Sequence, residues 1–455
     1  MVRLFLRTFA AIIIFTLSIF WCAISFSSEL EIKGDYFYMD GKPFFIRGVG
    51  YSPWRPGQWP GTDTVDMELV EYDLGMIKEA GFNTIRSWDA FDEEVLKLAA
   101  GHDLYVIQGI WIDPKHNFAD KPWQDQQIRM IENVVRYSKG HPNVLLYMVM
   151  TEPTTRAVAY AGEEETEEFF RRIVDAVRKI DNKPVTMDSW IPVGFLDHSM
   201  WDVVTFNAFM FSPESINRVL GFEEYVTLIK RRYAKGKPLI IGETGGFSVS
   251  PTKRGALGYG GNTERAQSQG DINSIMTSFN AGAAGVCVVS WIDTWHYPED
   301  PNTHDDHPWE WSGIIAIEDK DKPRGRPRMV YHDLKKFNTQ FKPQVIKKRE
   351  LPIDVELTIE PAKEVFSVKD AVEAYVRVTR DGRPVVNGAI EYAFFIQEGW
   401  KESKNIASTG ADGQVLLKCD LEIDGYTGYV LLCVSFKDAR HKISDIEFLK
   451  VDLNK

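Results

Sequence analysis

No serine or cysteine of this 455-residue sequence sits in a nucleophile elbow such as G-x-S-x-G, which removes one large class of hydrolases. No G-x-G-x-x-G turn follows the first strand-like run of the main domain, which argues against a doubly wound nucleotide-binding sheet. No H-E-x-x-H orders its histidines into a helical metal site. Positive charge is short as well: 53 Lys and Arg against 65 Asp and Glu leave a net charge of -12. That balance argues against nucleic acid or an anionic membrane surface as partner. There is no block of like charge, no low-complexity tract and no fixed-period repeat beyond a strand–helix alternation. Cysteine is scarce, with four in the chain.

Aromatic residues are abundant at 13%, and 13 tryptophans exceed what a core of this size demands. The length is too great for one ordinary core and implies two domains. Residues 1–27 read as a signal peptide: Arg3 and Arg7 start it, an apolar run follows from Phe9 to Ile24, and small residues at Ala23, Ser25 and Ser27 suit cleavage. An uncleaved anchor is the alternative. No other segment is long and apolar enough to span a bilayer, so the mature chain is expected to be secreted or periplasmic.

From residue 28 to 345 a rhythm of eight sets in. Strand-like runs lie at 44–51, 84–89, 105–111, 144–152, 184–190, 203–209, 238–245 and 285–293. Helical patterns separate most of them: Met67–Ala80, Glu93–Ala100, Asp125–Ser138, Glu164–Ile180, Phe222–Tyr233 and Arg265–Ala281. The connection 191–202 has room for only a turn of helix, and a last helix, Arg328–Phe341, follows the eighth run. Eight apolar strands alternating with helices predict an α/β fold, a closed (β/α)₈ TIM barrel. Asp40-Gly41 ahead of it signals a hairpin. From 346 to 455 the helical period is lost and alternating strands predict a β-sandwich. Cys419 and Cys433 flank the turn at 424–428; a hairpin there would let them bridge, and two unpaired core thiols are the equal alternative. Cys287 reads as a buried thiol.

In such a barrel, functional groups gather at the carboxyl ends of the strands. LLYMVMTEPTT delivers Glu152 at the end of the fourth strand, where Pro153 stops the ladder. PLIIGETGG delivers Glu243 at the seventh. Two carboxylates at one mouth suit glycosidic bond cleavage, with Glu243 as nucleophile and Glu152 as acid and then base. Mutual repulsion would raise the pKa of one. Arg86 on the second strand could hold the other ionised, or serve as a structural ion pair.

On Arg86, Thr151-Glu152-Pro153, Gly242-Glu243 and Trp291, the stretch from about Leu30 to Pro343 resembles the clan of retaining glycoside hydrolases with (β/α)₈ barrels. It looks closest to the barrel domains of the β-galactosidase and β-glucuronidase family and of the cellulase-like family. The resemblance implies that the strand-four glutamate is acid/base, the strand-seven glutamate is nucleophile, and Trp291 floors the sugar site. Two positions depart from the pattern. Thr151 stands where the clan has an asparagine for the sugar 2-hydroxyl. The sixth strand offers Phe206 and Phe209 in place of a tyrosine that bonds the nucleophile; Asn207 there could supply a further contact. GRPVVNGAIEY and STGADGQVLLKCDL resemble bacterial immunoglobulin-like modules, which implies an Ig-like sandwich in a spacer or binding role.

Arg86, Trp88, Trp111, Thr151, Trp190, Asn207, Trp291 and Trp295 are the residues expected to hold an oligo- or polysaccharide substrate. Trp54, Trp59, Asp113, His116, Asp188, Trp309 and Trp311 also fall on the loops of that rim. No cofactor is expected. His296, His304, Asp305, Asp306 and His307 in loop eight could ligate a metal but lack an ordered spacing, so a polar sugar-binding loop is the preferred reading. The departures at Thr151 and on strand six keep a non-catalytic carbohydrate-binding protein on the same scaffold as the alternative.

Overall fold

The computed structural model describes residues 30–60, 63–251, 260–295, 300–343, 354–396, 401–420, 427–439 and 442–452. The expected signal peptide at 1–27 and the domain boundary at 345/346 lie outside the described residues.

Strands β1 (Leu30–Lys33), β2 (Tyr36–Met39) and β3 (Lys42–Phe44) form a small antiparallel sheet. Asp40 and Gly41 join β2 to β3 with φ of 51° and 73°, the two left-handed residues that a tight hairpin needs. Phe37 and Met39 are buried with Ile46, Ile107, Leu146 and Ile240, residues of the barrel strands that follow. Tyr105, the first residue of the third barrel strand, donates its hydroxyl to Met39 Sδ at 2.6 Å. The hairpin therefore closes the amino-terminal end of the barrel and leaves the carboxyl end as the mouth.

The barrel closes through eight parallel strands: β4 (Ile46–Gly50), β5 (Thr84–Arg86), β6 (Tyr105–Ile110), β7 (Val144–Thr151), β8 (Val185–Trp190), β9 (Val204–Asn207), β10 (Leu239–Gly245) and β11 (Gly285–Val289). Each falls inside one of the eight expected runs. Their residues are almost all buried, as strands covered on both faces must be. Around them run α1 (Met67–Glu79), α2 (Glu93–Gly101), α3 (Lys121–Ser138), α4 (Thr155–Ala161), α5 (Glu163–Arg178), α6 (Glu214–Leu220), α7 (Phe222–Tyr233), α8 (Glu264–Asn280) and α9 (Met329–Gln340). α5 illustrates why they form: Phe169, Phe170, Ile173, Val174 and Val177 share the buried face, three glutamates occupy the first turn and Arg178 the last. α4 and α6 have seven residues each, too short to show a helical period in sequence. The 191–202 connection holds a single 3₁₀ turn, Ile191–Val193.

Loop eight carries the strand pair β12 (Ile315–Ala316) and β13 (Arg326–Pro327). It is pinned by a buried two-pronged ion pair, Arg328 Nη1 and Nη2 each 2.6 Å from an Asp293 carboxylate oxygen. That carboxylate also accepts the Gly313 and Ile317 amides, so the buried charges are paired and hydrogen-bonded together.

The C-terminal region is two sheets. One holds β14 (Val355–Pro361), β16 (Ala371–Arg380), β17 (Arg383–Pro384) and β20 (Gln414–Asp420). The other holds β15 (Phe366–Ser367), β18 (Ala389–Ile396), β19 (Lys401–Ser408), β21 (Gly428–Lys437) and β22 (Lys442–Asp452). Leu357, Val376, Phe394, Leu417 and Leu432 join the two sheets in one core, which makes the sandwich. The opposite face of the second sheet is also apolar. Ala393, Phe395, Leu431, Cys433, Ile446 and Phe448 belong to the barrel's hydrophobic cluster. Tyr429 stacks on Phe195 with centroids 4.1 Å apart, and Arg232 Nη1 donates to the Ile446 carbonyl at 2.9 Å. A sheet buried on both faces is thus docked on the barrel.

The expected hairpin between Cys419 and Cys433 is not formed. Most of the turn at 424–428 lies outside the described residues, but β20 pairs with β16 while β21 pairs with β18 and β22. Cys419 faces the sandwich core and Cys433 the barrel. Cys287, Cys419 and Cys433 are not joined in a disulfide among the described residues. Titration of the protein unfolded without reductant is therefore expected to count all three as reactive, and the melting temperature should be the same with and without reductant. A masked pair in that titration would contradict the two-sheet placement.

Candidate active site

Arg86 ends β5 and is fully buried. Its Nη2 lies 3.0 Å from Glu243 Oε1, forms a close ion pair with Asp188, and donates to Thr151 Oγ1 at 3.2 Å. Trp88, two residues on, donates its indole N–H to the same Glu243 oxygen at 2.7 Å, and the Arg86 guanidinium sits 4.3 Å from the Trp88 ring centroid. Burial alone would lower the Arg86 pKa; the charges of Glu243 and Asp188 outweigh it and raise it. Glycine makes the arrangement fit. A Cβ at Gly50 would stand 2.6 Å from Trp88 Cη2, and one at Gly242 only 2.2 Å from Asp188 Oδ1.

Glu152 follows β7 directly. The β7–β8 register shifts between Val149 and Thr151, and both Met150 and Glu152 adopt positive φ, 54° and 50°. Non-glycine residues held there cost free energy and cluster at functional sites. The kink turns Glu152 into the mouth, where Asn207 Nδ2, at the end of β9, donates to its Oε1 at 3.0 Å. The Glu152 amide is tied to the Asp188 carbonyl at 2.8 Å. Burial first, and then the charge of Glu243, push the Glu152 carboxyl up to about 8. Asp188 is pushed up to about 7 by burial, with Arg86 pulling down and Glu243 pushing up. Arg86 is thus ion-paired with Asp188 and Glu243, while burial raises the carboxyls of Glu152 and Asp188.

The other sequence-derived residues fall in different places. Thr151 accepts from Arg86 through its hydroxyl oxygen, and Trp190 donates its indole N–H to the Pro153 carbonyl at 3.0 Å. Trp111, immediately after β6, is 44% exposed. Trp291 does not floor the site. Its ring is fully buried and meets Tyr331 of α9 at 6.2 Å, on the helix side of the strand. Val289, at the end of β11, points to the mouth instead and clusters with Phe209 and Phe211, against Trp88, Phe247 and Trp309. Trp295 is likewise a packing residue: its N–H goes to the Ile317 carbonyl at 3.0 Å and its ring stacks on His304, which stacks on Trp311 at 3.6 Å. Burial in that stack lowers the His304 pKa to about 4. Phe206 points away from the mouth and stacks on Tyr233 of α7. Among the described residues no three His, Cys, Asp or Glu gather as metal ligands; His296 lies outside them.

Asp188 was legible as a rim carboxylate but not as the partner of Arg86. The signal was present: it alternates with Thr186 and Trp190 on a strand whose neighbours end in Glu152 and Asn207.

A barrel with paired carboxylates at the carboxyl ends of its fourth and seventh strands has the layout of a glycosyl hydrolase barrel. Residues 30–250 match the family model described as glycosyl hydrolases family 2, TIM barrel domain. The chain is 27% identical over 160 residues to mouse β-glucuronidase, a match covering 34% of this chain and 23% of that protein. It is 24% identical over 241 residues to the 1,3-beta-glucanosyltransferase gel1 of Aspergillus fumigatus, covering 48% of this chain and 52% of that one. The match thus spans less than a quarter of the one relative and about half of the other. Among solved structures, the β-glucuronidase of Faecalibacterium prausnitzii superimposes with a TM-score of 0.56 at 17% identity, over 70% of this chain and 52% of that one. Bacteroides uniformis β-glucuronidase 2, covalently bound to cyclophellitol-6-carboxylate aziridine, gives 0.53 at 14% identity, over 93% and 48%. These last two likenesses establish a shared fold.

The raised carboxyls make stability depend on pH in a definite sense. A carboxyl with a folded pKa above its unfolded value favours the fold fully below the unfolded pKa, and that contribution is lost as pH rises through the folded one. Asp188, raised from 3.8 to about 7, should therefore make the protein less stable across that interval as pH rises. Urea unfolding at successive pH values is expected to show this decline, and Asp188→Asn, which cannot ionise, should flatten it. An unchanged slope in the variant would contradict the assignment.

Proposed function

We propose that this chain is a retaining β-glycosidase that cleaves or transfers β-linked sugars by double displacement, with Glu243 as nucleophile and Glu152 as acid and then base. The observation that carries the reading is the unequal treatment of two carboxylates at one mouth. Glu243 Oε1 takes donors from both Arg86 and Trp88, while Glu152, which accepts from Asn207, is pushed up to about 8 and keeps its proton at neutral pH.

In the first step Glu243 Oε2, the oxygen not engaged by Arg86 or Trp88, attacks the anomeric carbon. The glycosidic C–O bond breaks, and Glu152 passes its proton to the departing oxygen. The ester that forms no longer carries the Glu243 charge. One cause of the raised Glu152 pKa disappears with it, and Glu152, now a carboxylate, becomes a better acid–base match for its second task. It takes a proton from water or from an acceptor sugar hydroxyl, whose oxygen displaces Glu243 with net retention. The family 2 barrel and the relatives named for glycoside cleavage and glucan transfer support the same reading. The amino-terminal sequence, with Arg3, Arg7 and the apolar run after them, supports export from the cytoplasm.

Chromogenic β-glycosides and polysaccharides test the chemistry. Glu243→Gln is expected to lower kcat by about a thousandfold or more. Wild-type kcat/KM should fall as pH rises through about 8, where Glu152 loses its proton, and this limb should vanish in Glu152→Gln. Glu152→Gln should lose least activity on substrates whose leaving groups need no proton. Turnover that survives Glu243→Gln, or products of inverted configuration, would overturn the assignment. Sugar binding without turnover in any form would favour the binding-protein alternative, for which Thr151 in place of the sugar-binding amide is the specific observation.

A further inference from the structure

The mouth is lopsided in its aromatic residues, and the asymmetry follows the order of the strands. Around the nucleophile, β9, β10 and β11 and their loops carry a closed cluster. Phe209 and Phe211 stack at 5.1 Å, Phe209 meets Trp309 at 5.7 Å, and Phe211 meets Phe247 at 5.4 Å, edge to face. Around Glu152 the neighbouring strands are β6 and β8; Trp111 follows β6 directly and Trp190 ends β8, and their environments differ. Ile110 pairs with Val149, so Trp111 stands level with Met150, two residues short of Glu152. On the other side, Trp190 pairs with Asn207, the residue that holds Glu152.

The Trp190 indole and the loop that carries Trp111 are both tied to the loop that carries Glu152. Trp190 is half-buried and anchored through its N–H to the Pro153 carbonyl at 3.0 Å. The loop that carries Trp111 is tied to the loop that carries Glu152, because the Thr154 amide donates to the Pro114 carbonyl at 3.0 Å. Trp111 itself is 44% exposed, and no hydrogen bond or ring contact engages it among the described residues. The core indoles Trp201 and Trp291 are 1% and 0% exposed. An indole left in water at the barrel mouth forgoes the burial that its apolar area would gain. A sugar ring offers the complementary surface, an apolar C–H face bordered by hydroxyls.

We propose that Trp111 and Trp190 form a platform for the sugars on the leaving-group side of the cleaved bond, so that the substrate is a β-glycan chain continuing beyond that bond. The inference rests on the acid/base role given to Glu152 above. In that scheme the acid stands beside the leaving oxygen, and whatever brackets the acid brackets the leaving chain. The same platform receives the acceptor sugar in the second step. The nucleophile side, closed by its aromatic cluster, holds the donor sugar.

The test is chain-length dependence of binding, measured calorimetrically on Glu243→Gln with β-1,3- and β-1,4-linked gluco-oligosaccharides of two to six units. Affinity is expected to rise with length in at least one series. Adding Trp111→Ala should flatten that rise, costing the longer chains about tenfold while the shortest change little. Trp111→Phe should restore part of it. Trp111 is exposed, so the unfolding midpoint is expected to stay put, which separates lost stacking from lost folding. Length-independent affinity in both series, or an equal loss for short and long chains, would overturn the platform. The chromogenic panel reads the catalytic assignment separately. Length-dependent binding without turnover would sink the chemistry and keep the platform, and turnover with length-independent binding would do the reverse.

Discussion

The buried guanidinium of Arg86 is the constraint on which the mouth of the barrel depends. A cation with no access to water must be paired, and Arg86 is paired twice, with Asp188 and with Glu243. Asp188 backs onto the bare α-carbon of Gly242, and Trp88 fills the space that Gly50 leaves open. Arg86 also donates to Thr151, the residue before Glu152, so one side chain links Glu243 to the kinked end of β7 that carries Glu152. Its single positive charge is not enough for three acids. The remainder is settled by protonation, and burial decides that Glu152 and Asp188 are the groups pushed up.

The rest of the fold holds that arrangement still. The amino-terminal hairpin fills the floor with Phe37 and Met39. Asp293 and Arg328 clamp loop eight to α9. The sandwich packs an apolar sheet face on the barrel through Phe395, Phe448 and the Phe195–Tyr429 stack. Chemistry on carboxylates needs positions held closely, and a site built from strand ends and braced loops meets that need better than one on free loops.

The eight barrel strands were legible because each is a short, continuous apolar run, and their order followed from alternation with helices. α4 and α6 were not, since two turns carry no readable period. The carboxylates and Arg86 announced themselves by ending buried strands. Side-chain direction was harder. Trp291 matched a family position, yet the chain turns its ring toward Tyr331 and presents Val289 to the mouth, a choice set by packing against α9 that no spacing records. Trp295 sits in a loop rich in polar residues and still packs, because His304 and Trp311 are there to stack with it. Between a Cys419–Cys433 bridge and two unpaired core thiols the sequence did not decide, for a topological reason: symmetric flanks around a turn look alike whether the turn joins neighbours in one sheet or crosses between two.

The two departures from the family pattern have a common physical answer. A strand-six tyrosine would serve to hold the nucleophile; here Phe206 faces outward, and the Trp88 indole takes up the donation to Glu243 from strand two, at 2.7 Å. An asparagine before the acid would face the sugar; here Thr151 is turned to Arg86, and the nearest amide, Asn207, is bound to Glu152. That bond favours the ionised form and so opposes burial. It tempers the acid in the first half of the proposed reaction and supports the carboxylate in the second. In the proposed reaction, hydrogen bonding that the family pattern directs to the sugar goes instead to the two carboxylates, and recognition rests more heavily on the faces of the rings that border them.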